Sequence, residues 1–264
     1  MTIPEKLQKR YGKPHVSYSS LKVALSDMAK FDQYMKGELK FESPALAFGT
    51  LYDMLLFERD KAMDTYVVLN EDSIIDMCSA KTIKSKAPKM TKEYKEKKAE
   101  LELQYSEEGK TIVSPDDWKQ ANEMIDRLDA SGLSKRMLKS NQYQVEFNEM
   151  IGSVQVKGFL DCLGDGFIVD SKSTKAVDKF RYSVRDFCYD IQAYIYCEVF
   201  GVNKFYWLVQ EKAYPYLPGL VECSDETLFA GKMKFNQAVN RIDSFLNGLD
   251  AGASPMQDYV QFKV

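Results

Sequence analysis

Histidine is almost missing from this chain, with His15 alone among 264 residues. That scarcity excludes multi-histidine metal centres and acid–base schemes built on paired imidazoles. Cysteine is sparse too. Cys78, Cys162, Cys188, Cys197 and Cys223 are scattered and form no CxxC pair, which speaks against a zinc ribbon or a disulfide framework. No apolar run is long enough to span a bilayer and no secretory leader is apparent, so no membrane partner and a reduced, cytoplasmic protein are expected. Neither sign of charge dominates: 36 Lys and Arg face 39 Asp and Glu, for a net charge of -3. A globally basic nucleic-acid-binding surface is thereby excluded, and any such contact rests on local patches. Internal repeats are absent as well.

What remains is an ordinary globular balance of 45% apolar and 28% charged residues, rich in Tyr and Phe. Most of these rings are needed to fill a core, and a few are available as stacking surfaces. Ser19 or Ser20 can cap a helix running to about Lys36, with Leu21, Leu25, Met28, Phe31 and Met35 as its apolar stripe and Gly37 at its end. A second helix starts near Pro44 and reaches about Phe57, and a short strand fits Thr65–Leu69. Between Lys81 and Lys98 eight lysines face two glutamates, which reads as a solvated excursion or as a local contact for DNA phosphates. Ser114-Pro115-Asp116-Asp117 is a clear helix start, followed by the stripe Trp118, Ala121, Ile125 and Leu128.

After Lys139 the period changes to two. Tyr143, Val145 and Phe147 alternate with polar residues, as do Val154, Val156, Gly158 and Leu160 before Asp161. Gly164-Asp165-Gly166 supplies a turn into a third strand through Ile168, Asp170 and Lys172. A long helix from about Val177 to Phe200, a strand at Phe205–Val209, another at Leu220–Cys223 and a last helix capped by Ser224 complete the chain. Helices, a strand meander, a helix, a strand and a helix predict one α+β core: a central mixed β-sheet flanked by helices, with an N-terminal helical addition.

Asp170 and Lys172 are two apart, so a strand puts both side chains on one face, and Asp161 lies close before the hairpin turn. Two carboxylates with a nearby carbonyl, that of Ser171, make a hard-oxygen site suited to Mg²⁺ or Mn²⁺. Such an ion polarises a phosphoryl oxygen and activates water, while Lys172 aligns that water or stabilises charge on the phosphate. An Asp-x-Lys pair alone is as well explained as a surface salt pair. Its position after apolar Ile168-Val169 favours function, because a needless carboxylate there is costly. Asp53, four residues after Gly49 on the second helix, is a further ligand candidate. Glu146 on the polar face of its strand is either solvated or an aid to the metal. Tyr189, Gln192 and Tyr196 share a helical face, where Gln192 could hold phosphate or water. Arg181 and Arg185, one turn apart, are phosphate contacts or plain surface charges.

Gly158-Phe159-Leu160-Asp161 with Ile168-Val169-Asp170-Ser171-Lys172-Ser173-Thr174 resembles the signature of the PD-(D/E)xK nucleases. Tyr189-x-x-Gln192-x-x-x-Tyr196 resembles the glutamine motif of their RecB-like branch. Val16–Leu21, Phe48–Leu56 and Glu108–Ser114 with Asp117-Trp118 are similar to segments of the exodeoxyribonuclease VIII (RecE-type) nuclease family, so the resemblance spans roughly residues 16–248. It implies a restriction-endonuclease-like fold with Asp161 and Asp170 as metal ligands, Lys172 as the catalytic lysine and Gln192 supporting substrate. The family helix commonly carries histidine where this chain has Asp53, although distant phage exonucleases place an acid there. The cysteine arrangement of iron–sulfur relatives is not present, so no such cluster is expected.

The order of elements and the resemblance together predict a single nuclease domain over 1–264. It comprises an N-terminal helical part (16–60), the lysine-rich excursion (81–110), a catalytic sheet and long helix (140–223) and a C-terminal helix (224–248). The implied activity is Mg²⁺-dependent digestion of linear double-stranded DNA, 5′ to 3′, leaving 3′ tails for recombination in a bacterial host cell. A ring-like trimer or tetramer and a single-strand annealing partner are implied with it. Two alternatives stay open: a RecB-like nuclease acting on single strands or internal sites, and a DNA-binding module that has lost catalysis.

Overall fold

Side-chain caps set the boundaries of the N-terminal helices. The structure is a computed structural model, and it describes residues 1–139 and 141–248. Ser140, at the edge of the expected catalytic segment, and the end of the expected domain (249–264) lie outside the described residues. Helix α1 (Ile3–Tyr11) opens with a reciprocal Thr2–Glu5 capping box, and the two-residue strand β1 (His15–Val16) follows. The single helix expected up to Lys36 is two, α2 (Tyr18–Ser26) and α3 (Met28–Lys36). Ser17 caps the first, with Ser20 closing the box from inside. Asp27 causes the break. Its backbone is extended, and its carboxylate accepts from the N–H groups of Ala29 and Lys30, starting a new helix. Helix α4 (Pro44–Phe57) follows expectation, capped by Ser43 with Pro44 in its first turn.

Next come α5 (Arg59–Thr65), β2 (Tyr66–Val68), α6 (Glu71–Asp76), α7 (Ala80–Ile83) and α8 (Lys92–Glu107). The lysine-rich stretch is therefore largely helical. Lys89 and Lys98 both pair with Glu71, Lys92 pairs with Glu96 and Lys97 with Glu100, so half of its eight lysines already have acidic partners. Ile74, Cys78 and Tyr94 give it a small core. An unanticipated strand β3 (Thr111–Val113) pairs in parallel with β2. Helix α9 (Pro115–Ala130) starts at the Ser114 cap, and α10 (Leu133–Met137) follows left-handed Gly132.

The meander is β4 (Gln142–Ile151), β5 (Val154–Leu163) and β6 (Ile168–Thr174), with β5 continuing two residues past Asp161. The expected helix from Val177 to Phe200 is interrupted: α11 (Phe180–Asp186) and α12 (Tyr189–Phe200) meet at Cys188, whose φ of 58° is left-handed. This turn leaves Phe180 buried, stacked 5.9 Å from Tyr189 and edge-on to Trp207. Strands β7 (Phe205–Glu211) and β8 (Pro218–Glu222) and helix α13 (Asp225–Leu246) complete the described chain.

The main sheet runs β1-β5-β6-β7-β8, with β4 also on β5. The pair β6–β7 is parallel, whereas β4–β5, β5–β6 and β7–β8 are antiparallel, giving the expected mixed sheet. One face packs on α2, α12 and α13 through Ile168, Trp207, Val209, Ile191, Ile195 and Phe235. The other packs Cys162, Val169 and Leu208 against Phe57 of α4 and Leu128 of α9. Strand β6 is thus covered on both sides.

Helices α12 and α13 touch at backbone level: a Cβ on Gly231 would lie 2.0 Å from the Asp190 carbonyl oxygen. A methyl group there must push the helices apart, costing about 1–3 kcal/mol as overpacking does. Gly49, by contrast, has nothing within 4 Å of its virtual Cβ, so no close approach requires a glycine there. Gly231→Ala is expected to lower unfolding free energy by that amount in urea titration, and Gly49→Ala to raise it by roughly 0.5–1 kcal/mol.

Candidate active site

Strands β5 and β6 pair only beside their hairpin, Leu163 with Ile168 and Cys162 with Val169. One further step would set Asp161 opposite Asp170, but the ladder ends there. The Ser171 N–H instead donates to Asp161 Oδ2 at 2.8 Å, so a carboxylate takes the place of a neighbouring strand's carbonyl. The strands consequently fork at the acidic pair. Lys172 Nζ stands 2.5 Å from Asp170 Oδ2, donates to the Ser171 carbonyl at 3.1 Å and lies 5.1 Å from the Tyr189 ring centre.

Asp170 is completely buried, and neither of its oxygens receives a hydrogen bond of good geometry. Among the described residues, the Lys172 contact is its one ion pair. Asp53 approaches from α4 on the other side of β6, near enough to Asp161, Ser171 and Lys172 to feel each of them. Burial pushes the Asp170 carboxyl up to about 7, with Asp161 adding to the shift and Lys172 opposing it. Burial and then the Asp161 charge hold Asp53 well above the usual carboxylate range. Asp161 is raised by burial and eased down by Lys172, the Ser171 N–H and Gln144. For Lys172 burial alone would lower the pKa, but Asp170 and Asp161 outweigh it and keep the ammonium charged.

Three carboxylates around one ammonium leave an excess of two negative charges when all are ionised. The donors are all hard oxygens, and Asp170 Oδ1 and Oδ2 and Ser171 Oγ are buried without hydrogen-bond partners. That chemistry fits a divalent cation such as Mg²⁺ or Mn²⁺. Among the described residues, no three His, Cys, Asp or Glu side chains are already gathered tightly as metal ligands, so the carboxylates stand around the fork rather than in a closed cage. The expected ligands Asp161, Asp170 and Asp53 do meet here. The Ser171 carbonyl already accepts from Lys172, with one lone pair left.

The glutamine motif lies on the inner face of α12. Gln192 Nε2 donates to the Tyr196 hydroxyl at 3.0 Å, and Tyr196 donates to the Phe159 carbonyl at 2.8 Å. This chain fixes the amide and leaves Gln192 Oε1 buried and unpartnered. Tyr189 supplies the ring beside Lys172. Other expected candidates fall outside the fork. Glu146 is exposed and pairs with Lys157 at 2.7 Å, because its position on β4 sets it against Phe159 rather than Asp161. Arg181 and Arg185 sit on α11, close to Tyr182.

Two residues at the site escaped the sequence reading. Gln144 lies between the pairs Tyr143–Cys162 and Val145–Leu160, hence opposite Asp161, and holds a left-handed φ of 48° inside a strand. Alternation assigns it to the solvent face, so no pattern could have exposed it. Tyr18 feels the charges of Lys172 and Asp170, and its hydroxyl donates to the Phe187 carbonyl. Its only signal was membership of the Val16–Leu21 segment.

Residues 17–254 match the family described as PDDEXK-like domain of unknown function (DUF3799). The chain belongs to this family. No curated protein matches the chain. Among solved structures, one from Eubacterium rectale described as a "Putative exonuclease" has 17% identity and a TM-score of 0.62, covering 98% of this chain and 92% of its own. A phage-related exonuclease from Haemophilus somnus 129PT (13% identity, TM-score 0.33, 69% and 96% covered) is also similar. So is an alkaline exonuclease from Laribacter hongkongensis (11%, 0.32, 71% and 94%). The Eubacterium rectale structure shares the fold; the other two overlap too weakly to add to it.

The raised carboxylates make the PDDEXK-like fold pH-sensitive without metal. Folded Asp170 keeps its proton up to about pH 7. The unfolded chain releases it near 4, so unfolding free energy falls as pH rises across that window. In EDTA, stability is expected to drop by on the order of 1–4 kcal/mol between pH 4 and pH 8, with Asp170→Asn reducing the slope. Added Mg²⁺ or Mn²⁺ should restore the loss in the parent and not in Asp170→Asn. A flat profile in EDTA would contradict this electrostatic account.

Proposed function

We propose that the protein is a divalent-metal-dependent exodeoxyribonuclease that digests linear double-stranded DNA from the 5′ end and leaves 3′ single-stranded tails for recombination. The observation that carries the nuclease reading is the buried Asp170 carboxylate. It stands at the fork beside Asp161, and among the described residues its one close polar partner is the Lys172 ammonium. A fold under no functional demand would not keep such a group. Family membership supports the same reading. Attack on duplex ends, the 5′ polarity, Mg²⁺ as the ion, a ring-like oligomer, an annealing partner and a cytoplasmic setting rest on the RecE-type motifs alone.

Asp161, Asp170 and Asp53 would hold the cation, which when bound supplies charge neutralisation and polarisation of the phosphodiester. The protein's own groups do the remainder. Lys172 stays protonated, since two carboxylates raise its pKa, so it acts as a fixed positive charge and donor to a phosphate oxygen and not as a base. Gln192 Oε1 has an open acceptor position suited to orienting water or a substrate hydroxyl. Tyr189 walls Lys172 and limits solvent around its ammonium.

Lys172→Ala is expected to reduce hydrolysis by roughly 10²–10³-fold, as loss of a transition-state charge partner does, and to lower the melting temperature above about pH 7, where Asp170 would be left ionised without its partner. Asp170→Asn should abolish metal-dependent hydrolysis. The assay is release of label from 5′- and 3′-end-labelled linear duplex, beside closed circular DNA. Cutting of closed circles would move the assignment to an endonuclease, and full activity in both variants would remove the fork as the active site.

A further inference from the structure

The surface that adjoins Lys172 is built from rings and arginines. Phe187, directly after α11, is 50% exposed, and its ring lies 5.6 Å from that of Tyr189. Tyr189 in turn lies 5.1 Å from Lys172 Nζ, so Phe187 stands at most about 11 Å from the ammonium, or about three base steps of a nucleic-acid strand. Tyr182 on α11 is 46% exposed. The guanidinium of Arg181 sits 5.0 Å from its ring centre and that of Arg185 5.9 Å. Helix α11 is anchored from beneath by buried Phe180, leaving this outer face unpartnered. Lys175 and Lys179 lie just ahead of it in sequence, against Asp178 and Asp186, of which Asp186 holds Arg185 at 3.0 Å.

Resting on the nuclease reading above, we propose that α11 and Phe187 form a docking surface for one unpaired DNA strand. Arg181 and Arg185 meet its phosphates, and Tyr182 and Phe187 stack on its bases beside the fork. Arginines alone would serve a duplex equally well. Exposed rings do not, because an aromatic face gains a base only where that base has left its own stack. The strand met at the fork is therefore one whose bases have locally left the duplex, as at a frayed end. The left-handed turn at Cys188 presents Phe187 outward while Tyr18, donating to the Phe187 carbonyl, fixes its backbone.

The test is fluorescence anisotropy in EDTA, where hydrolysis is silent, with a labelled oligothymidine and an abasic strand of equal length. Phe187→Ala is expected to weaken oligothymidine binding about 5–100-fold and to leave abasic binding within about twofold, with Phe187→Trp retaining parental affinity. Arg181→Gln with Arg185→Gln should weaken both strands and reduce the salt slope by roughly 1.4. Circular dichroism melts establish that each variant is folded. Equal loss on both strands after Phe187→Ala, no loss at all, a parent that does not hold the oligothymidine, or a closed circular duplex that competes as well as the oligothymidine would each overturn the proposal. If the parent hydrolyses DNA with metal while these variants bind normally, only this surface is wrong. A parent that neither binds nor hydrolyses any DNA brings down the nuclease reading as well.

Discussion

Three carboxylates and one ammonium gather at a fork between two strands, with Asp170 fully buried and the other three partly exposed, and most of the surrounding structure can be understood as holding that imbalance in place. Asp170 lies on a strand with packed layers on both sides, so its charge has no solvent to spread into. Lys172 offsets one charge, and Asp161 is tied by a backbone N–H. The residual negative charge is a cost in the isolated chain and an attraction for a cation. Site and stability are thus coupled through the same groups: what makes the fork receptive also makes it the least satisfied part of the core.

The fold supplies this geometry from three directions. The β5–β6 ladder stops one step short of the acids, which opens room between Asp161 and Asp170. Helix α4 packs on one face and delivers Asp53 beside Asp161 and Ser171. Helix α12 packs on the other, bringing Tyr189, Gln192 and Tyr196. The depth of α12 is set from behind by α13, where Gly231 lets the two backbones touch. A side chain at Gly231, remote from the chemistry, would shift the glutamine motif against the fork.

Much of this was legible because strands repeat every two residues and glycine marks the hairpin. Asp161, Asp170 and Lys172 could be placed from spacing alone. Asp53 reached the site through tertiary packing, and Gly49, the local feature suggesting it, meets nothing. The same parity that gave Asp170 and Lys172 a common face drew attention to Glu146, whereas the residue opposite Asp161 is Gln144 with its left-handed backbone. The helix breaks at Asp27 and Cys188 were hidden by apolar stripes that run on through both. A carboxylate capping two N–H groups and a left-handed turn override periodicity locally. The lysine run read as excursion by composition, yet acids before, within and after it, with buried Tyr94, make it helical.

Asp53 matters most for the charge of the fork. A neutral side chain at this point of the helix would leave the fork one negative charge in excess when its other two carboxylates are ionised. A carboxylate leaves two, the charge a single divalent ion cancels. The Asp53 carboxyl is itself raised by burial and then by the charges of Asp161 and Asp170. A carboxylate at this position would therefore hold a cation by charge, where an imidazole would hold it by basicity, and would favour a hard ion.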